Sequence, residues 1–263
     1  MNIKVSYFQI AGFIIKFVFY PCSSFLNTQD NTQIFIEEAF QEFLLEEINK
    51  KYFKADYTIE FHHREMFNML FKDKGQYLLI SEGNKRKVKT FYDISFAQLT
   101  NLLTRVVNEL LALDGFIIHC SAICKNNLAY LFFGQSGAGK STIISLLKKK
   151  YTPLADDSVI IRKKQNKFFL YQIPVKEKPD FIYKSKNKYA IKKIYFLKKS
   201  KELKVEKIKN KEKILTKIMR QFWIEKPNKN QVKLMLDFIA KNDFYFLYFP
   251  KNETLVNNLF TKE

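Results

Sequence analysis

Glycine is scarce in this chain. Seven occur in 263 residues, and three of them, Gly134, Gly137 and Gly139, crowd into one short stretch. The Ser-Gly-Gly-Gln signature of transporter- and motor-type ATP hydrolases needs glycines that are not there, and no Asn-Lys-x-Asp motif supports guanine specificity. Cysteine is scarce as well. Cys22, Cys120 and Cys124 make no disulfide framework, which points to a reducing cytoplasm. His119 neighbours two of them, but on a strand it faces away from Cys120 and Cys124, and no fourth ligand stands nearby. Small buried hydrophobes are the better reading of these cysteines. Long apolar runs are missing too: Val5 to Tyr20 is broken by Lys16 and stopped by Pro21, too short for a membrane span; a signal peptide is the weaker alternative to a strand pair there, for want of a convincing small-residue cleavage site. Arginine is sparse against the many lysines behind a formal net charge of +19. Lysines spread along a chain rich in Ile, Asn and Phe are what a low-GC genome encodes, so nucleic acid is not expected as a partner.

What is present is a complete phosphate-binding loop. Residues 134–142 read Gly134-Gln135-Ser136-Gly137-Ala138-Gly139-Lys140-Ser141-Thr142, the pattern G-x-x-x-x-G-K-[ST]. The apolar run 128–133 precedes it as a buried strand, and Ile143 to Lys150 follows with helix-forming residues. That strand–loop–helix context is the one the motif requires. The glycines let successive N–H groups face a phosphate. Lys140 would reach the terminal phosphates and the Ser141 hydroxyl would ligate Mg²⁺, with the helix start adding the favourable end of its dipole. ATP and Mg²⁺ are therefore the expected cofactors.

Periodicity predicts an α/β fold with a mixed sheet. Residues 1–20 read as two strands around Gly12, and 32–53 carry a helical pattern through Ile36, Phe40, Phe43, Leu44 and Ile48. Strands follow at Thr58–Phe61, Tyr77–Ile80 and Lys87–Phe91. Ser95 caps a helix that Gly115 ends, the hinge between a small α+β N-terminal region, 1–94, and an ATP-binding domain, 95–263. Phe116 to Cys124 reads as one strand, turned at residues 125–127 into the strand that enters the loop; the antiparallel neighbour makes the sheet mixed. A hairpin turns over Gln165-Asn166, strands follow at 189–197 and 204–208, helices at 211–223 and 230–241, then a strand at 244–249 and a last short helix. Residues 184–213 are dense in lysine and read as a solvated basic rim.

Asp156-Asp157 is the second strong feature. Mg-ATP chemistry uses one carboxylate to hold metal and another to take the proton of an attacking hydroxyl. The helix after the loop rises roughly 15 Å, and six extended residues return roughly 20 Å, so the pair comes back beside the phosphates. A turn-and-cap pair opening a strand is the structural alternative. His119, read as lying across the ladder from residue 133, would stand near the phosphate end of the sheet; a buried histidine bonded to backbone is its alternative.

In order and spacing, His119-Cys-Ser-Ala, the hairpin, the phosphate loop and Leu154-Ala-Asp-Asp resemble the HPr kinase/phosphorylase family, and more narrowly the HPr-kinase-related proteins of peptide-modification clusters. The match covers residues 115–161. The resemblance implies a phosphoenolpyruvate carboxykinase-like nucleotide-binding fold. It also implies Lys140 on the nucleotide, Ser141 and Asp157 on Mg²⁺, Asp156 as general base on a serine hydroxyl, and His119 supporting Asp156. The family's Arg- and Gly-rich stretch after the acidic pair is not matched: no glycine follows Gly139, and Arg162 and Arg220 are the only arginines after the pair. That argues against phosphorylase activity and against HPr as substrate.

The expected function is an ATP-dependent serine kinase acting on a peptide or protein, a precursor peptide among the candidates. A nucleotide-binding regulator or assembly protein without phosphoryl transfer is the alternative, and the sequence leaves open whether the chain forms a homo-oligomer.

Overall fold

Ala11 and Gly12, at φ of 52° and 79°, turn β1 (Lys4–Ile10) back onto β2 (Phe13–Phe19), the strand pair expected around Gly12. The computed structural model describes residues 2–21, 28–46, 54–63, 80–81, 86–175, 177, 179–222 and 227–261. The chain divides into two units, Met1–Leu110 and Leu111–Glu263. The helix α2 (Phe96–Leu110), placed by the sequence at the head of the second domain, falls by its contacts in the first unit. Its N-terminus is closed as expected: the Ser95 hydroxyl accepts from Gln98 N–H while the Gln98 side chain accepts from Ser95 N–H.

The first unit is a five-stranded sheet in the order β1-β2-β3-β5-β4, with β3 at Tyr57–His62, β4 at Ile80–Ser81 and β5 at Lys87–Phe91. β2, β3 and β5 run parallel, so β2 must cross over to β3, and α1 (Thr28–Ala39) lies on that crossover. The helical pattern expected over 32–53 ends at Ala39 and a short 3₁₀ turn, Gln41–Phe43; its last residues, 47–53, and the strand residues 77–79 lie outside the described residues. Phe8, Phe17, Phe19 and Phe61 meet ring to ring in the core at centroid separations of 4.7–5.6 Å.

The second unit holds a nine-stranded mixed sheet. Its main path runs β6 (Gly115–His119), β10 (Ser158–Lys164), β11 (Lys167–Gln172), β12 (Lys188–Lys199), β8 (Leu128–Phe133), β7 (Ser121–Lys125), β9 (Thr152–Ala155), and β14 (Phe244–Phe249) joins β12 to β13 (Lys204–Lys207). β8 (Leu128–Phe133) lies parallel to β12 (Lys188–Lys199) and antiparallel to β7 (Ser121–Lys125). β8 is apolar throughout because both of its faces are covered. Ala129, Leu131 and Phe133 point into a core closed by α4 (Lys211–Met219) and α5 (Lys229–Lys241). Tyr130 and Phe132 point into another, closed by α3 (Lys140–Leu147) and α6 (Glu253–Thr261). The two hairpin turns fall on paired polar residues, as the sequence suggests: Asn126-Asn127 and Gln165-Asn166 all take positive φ, between 46° and 64°. α4 stops at Met219, short of the expected 223, and residue 223 lies outside the described residues.

The stretch read as one strand over 116–124 is two. β6 (Gly115–His119) pairs with β10 (Ser158–Lys164), whereas β7 pairs with β8 and with β9 (Thr152–Ala155). The exchange of partners falls at Cys120. His119 is therefore not across the ladder from residue 133: its partner is Ser158, and the hairpin brings Ser121 opposite Phe132 instead. None of the helices among the described residues is long and apolar enough to cross a membrane.

Candidate active site

The glycine-containing loop 134–139 leaves the end of β8 and enters α3 with no intervening residues beyond the motif. Gly137 (φ 77°) and Gly139 (φ 104°) hold backbone angles that a side chain would strain, and Gly139 serves as the N-cap of α3. The turn is fastened internally, with Ala138 N–H donating to the Gln135 carbonyl. Lys140 reaches back over the loop and donates from Nζ to the Gly134 carbonyl at 2.8 Å. Ser136, Gly137, Gly139, Lys140, Ser141 and Thr142 line a cleft of ≈ 490 Å³; Gln135 and Ala138 face a neighbouring one.

The acidic pair returns to that cleft, as the chain-reach argument requires. β9 carries the chain back alongside β7, and its end is pinned by the buried Gln172 side chain, which donates to the Leu154 carbonyl at 2.7 Å. Asp156 is buried. Its Oδ2 accepts from Ser141 Oγ at 2.9 Å, its carbonyl accepts from Ser121 Oγ at 2.8 Å, and its own N–H donates to Glu177 Oε2 at 3.3 Å. Asp157 is the opposite case. Its side chain is 65% exposed, and Oδ2 lies 3.7 Å from His119 Nδ1. The Asp157 hydrogen bond holds the His119 imidazole above its ordinary pKa, against burial and the nearby Lys140 charge. His119, expected to support Asp156, thus partners Asp157. The cause is the strand exchange at Cys120, which sets His119 against Ser158, one residue beyond Asp157.

Ser121, behind the cleft, and Glu177 and Lys199, on its lining, had no role assigned from the sequence. Ser121 is fully buried and orients the Asp156 backbone. Glu177 sits on a loop with no periodic pattern around it, ion-paired to Lys184 at 2.7 Å, and burial pushes its carboxyl pKa up despite that lysine. Lys199 adds a cation at the end of β12. Only Ser121 had a signal available, its place in the His119-Cys-Ser-Ala run. Cys120 is fully buried and Cys124 half-buried; both are free, and burial drives the Cys120 thiol far above its usual pKa, so it is no nucleophile at neutral pH. Cys22 lies outside the described residues.

The donor set fits Mg²⁺. A hydroxyl and a carboxylate oxygen 2.9 Å apart are hard oxygen ligands, and among the described residues no group of three or more His, Cys, Asp or Glu side chains is placed to hold a metal. A magnesium ion that keeps its waters and takes the rest of its shell from phosphate needs no such cage.

Residues 86–233 match the family described as SynChlorMet cassette protein ScmC. None of the curated proteins matches the chain. Among solved structures, the Hpr(Ser) kinase/phosphatase from Coxiella burnetii aligns with a TM-score of 0.29 and 13% identity, over 56% of this chain and 97% of that one, a likeness too loose to carry an argument.

Proposed function

The chain belongs to the family of the SynChlorMet cassette protein ScmC, whose match takes in more than half of this chain, and we propose that it acts as an ATP-dependent kinase transferring a phosphoryl group to a serine hydroxyl of a peptide or protein. The observation that carries this reading is the hydrogen bond from Ser141 Oγ to Asp156 Oδ2, beside the Asp157–His119 pair in the same cleft. A loop that only bound nucleotide would need no second carboxylate held open to the acceptor side. The fold we propose for the second unit is the phosphoenolpyruvate carboxykinase-like one, on the strength of the mixed sheet and the order of the motifs.

The two aspartates divide the work by their surroundings. Asp156, buried and bonded to the Ser141 hydroxyl, is suited to hold Mg²⁺ together with Ser141. Bound there, Mg²⁺ would neutralise charge developing on the transferred phosphoryl group. Lys140 leaves the Gly134 carbonyl for the nucleotide phosphates, and the loop N–H groups cradle them. Asp157 is exposed and accessible to an incoming hydroxyl, so it is the group suited to take the hydroxyl proton. His119 fixes its orientation, and its imidazole is ready to share that proton. This reverses the division implied by the family resemblance, in which Asp156 is the base and Asp157 the metal ligand. Transfer goes straight to the acceptor hydroxyl rather than through a phosphoenzyme, since among the described residues of the cleft Cys120 is sealed in the core and His119 is engaged by Asp157.

The test is incubation of the full chain with γ-labelled ATP, Mg²⁺ and serine-containing peptides, with products read by mass spectrometry. Phosphoserine on a peptide is the expected product, lost with Lys140→Ala. Label on histidine or on a small metabolite, with none on peptide, would overturn the serine-kinase reading.

A further inference from the structure

On the other side of the phosphate loop from the acidic pair lies a second cavity of ≈ 320 Å³, bordered by Gln135 and Ala138 of the loop itself. Its floor is aromatic, from Phe133, Phe196 and Phe246, and its rim carries Lys198 of β12 and Lys217 and Arg220 from the end of α4. The cations are set over the rings. Lys198 Nζ stands 4.3 Å and Lys217 Nζ 5.6 Å from the Phe246 centroid, Lys213 Nζ from the next turn of α4 lies 5.1 Å from it, and Lys217 also stands 5.7 Å from Phe196. Lys198 donates to the Tyr248 hydroxyl at 3.0 Å, and no carboxylate among the described residues forms an ion pair with Lys198, Lys213, Lys217 or Arg220. This sets them apart from Lys184, Lys204 and Lys207 of the same basic region, each of which has its own acidic partner.

Burial and the neighbouring Lys198, Lys213 and Arg220 charges lower the Lys217 pKa, the mark of like charges crowded together; Glu206 acts on Lys198 only at longer range, with no ion pair between them. Lysines over Phe196 and Phe246 compete with a nucleobase for those ring faces. What remains is a cationic mouth opening next to the loop.

We propose that this cavity binds carboxylate groups of the acceptor polypeptide, acidic side chains or a terminal carboxylate close to the serine that receives phosphate. The acceptor half of the proposal rests on the kinase reading above; the anion site does not. It makes Lys198, Lys217 and Arg220 specificity-determining residues that hold the substrate while leaving the chemistry to the other side of the loop.

The experiment uses the full chain and two fluorescein-labelled peptides carrying one serine, flanked by glutamates in one and by glutamines in the other. Anisotropy gives their affinities for the parent, for Lys217→Ala/Arg220→Ala, and for Lys192→Ala/Lys209→Ala, a charge-matched control on exposed lysines outside the cavity. A fluorescent ATP analogue is titrated into each. The parent should prefer the glutamate peptide, and the cavity variant should lose about tenfold or more of that affinity, as expected for charge-assisted contacts. The control should stay within about twofold of the parent, and ATP-analogue binding should be unchanged in all three. Should the cavity variant fold poorly, Lys198→Gln/Arg220→Gln tests the same charge at two exposed positions. Equal losses in the cavity variant and the control would make the attraction diffuse and overturn the proposal, as would equal binding of the two peptides. Weakened ATP-analogue binding in the cavity variant would assign the cavity to nucleotide and overturn it equally. A parent that discriminates the peptides yet binds no ATP analogue would leave the anion site standing and remove the kinase reading alone.

Discussion

Asp156 and Asp157 are adjacent and chemically identical, yet the fold gives them different surroundings, and we propose different tasks. One is buried with three hydrogen-bonding neighbours; the other is open to solvent with a histidine for company. The division can be separated in the test tube. Asp156→Asn should raise the Mg²⁺ concentration needed for half-maximal transfer and recover much of its rate when Mg²⁺ is abundant. Asp157→Asn should bind Mg-ATP normally and remain slow at every Mg²⁺ concentration, by roughly 10²–10⁴-fold for a lost general base. Rates measured across a magnesium titration decide the matter: if Asp157→Asn is rescued by metal and Asp156→Asn is not, the roles run the other way. The loop and the pair were legible in the sequence because motif spacing and chain reach depend on local geometry. Which aspartate faces the Ser141 hydroxyl was not legible, because it depends on where Ser121 and Glu177 sit, 35 and 21 residues away along the chain.

At the scale of elements, the sequence announced most strands and both polar hairpin turns, since alternation and Asn-Asn or Gln-Asn pairs act locally. It misread 116–124 as one strand because the apolar pattern runs on unbroken while the partners change at Cys120, and a change of partner is a tertiary event. Two predictions belong here. Phe238 of α5 is fully buried, with its ring edge-on to Phe116, Phe168 and Phe244 at 5.1–5.9 Å, so it ties the helix to three strands. Phe238→Ala should cost about 3–5 kcal/mol, read from denaturant unfolding; a loss under about 1 kcal/mol would mean the site collapses without penalty. In the first unit, His62 stacks on Tyr20 at 4.5 Å and is buried beside Glu60, Lys87 and Lys89. Burial lowers its pKa below the usual 6.5, with Glu60 opposing. A native histidine that refuses a proton is matched below pH 6.5 by an unfolded one that accepts it. The stability this contributes is present above 6.5 and is lost as pH falls from there through the native pKa. The melting temperature of the parent should therefore drop more between neutral and mildly acidic pH than that of His62→Gln, and parallel profiles would absolve His62.

The whole molecule carries +19, and the arrangement of that charge decides what it means. Several lysines of the basic region are spent individually, on Glu177, Glu206 and Asp243 by ion pairing and on Phe169 and Tyr245 by lying over rings. Charges committed one by one are held by their own partners rather than offered to a polyanion. They do repel one another, and the compact state holds them closer together than the unfolded chain does. Salt should relieve that repulsion, since the screening length shrinks to about 10 Å at 0.1 M. The melting temperature should therefore rise as sodium chloride goes from about 20 mM to about 300 mM, the opposite of what a chain held together chiefly by exposed ion pairs would do. Chloride is the right anion for this measurement because, on the proposed function, sulfate and phosphate would also bind at the loop and confuse screening with ligation. A melting temperature that falls with added chloride would show that the paired lysines stabilise more than the unpaired ones repel, and would return the excess charge to the surface as attraction rather than burden.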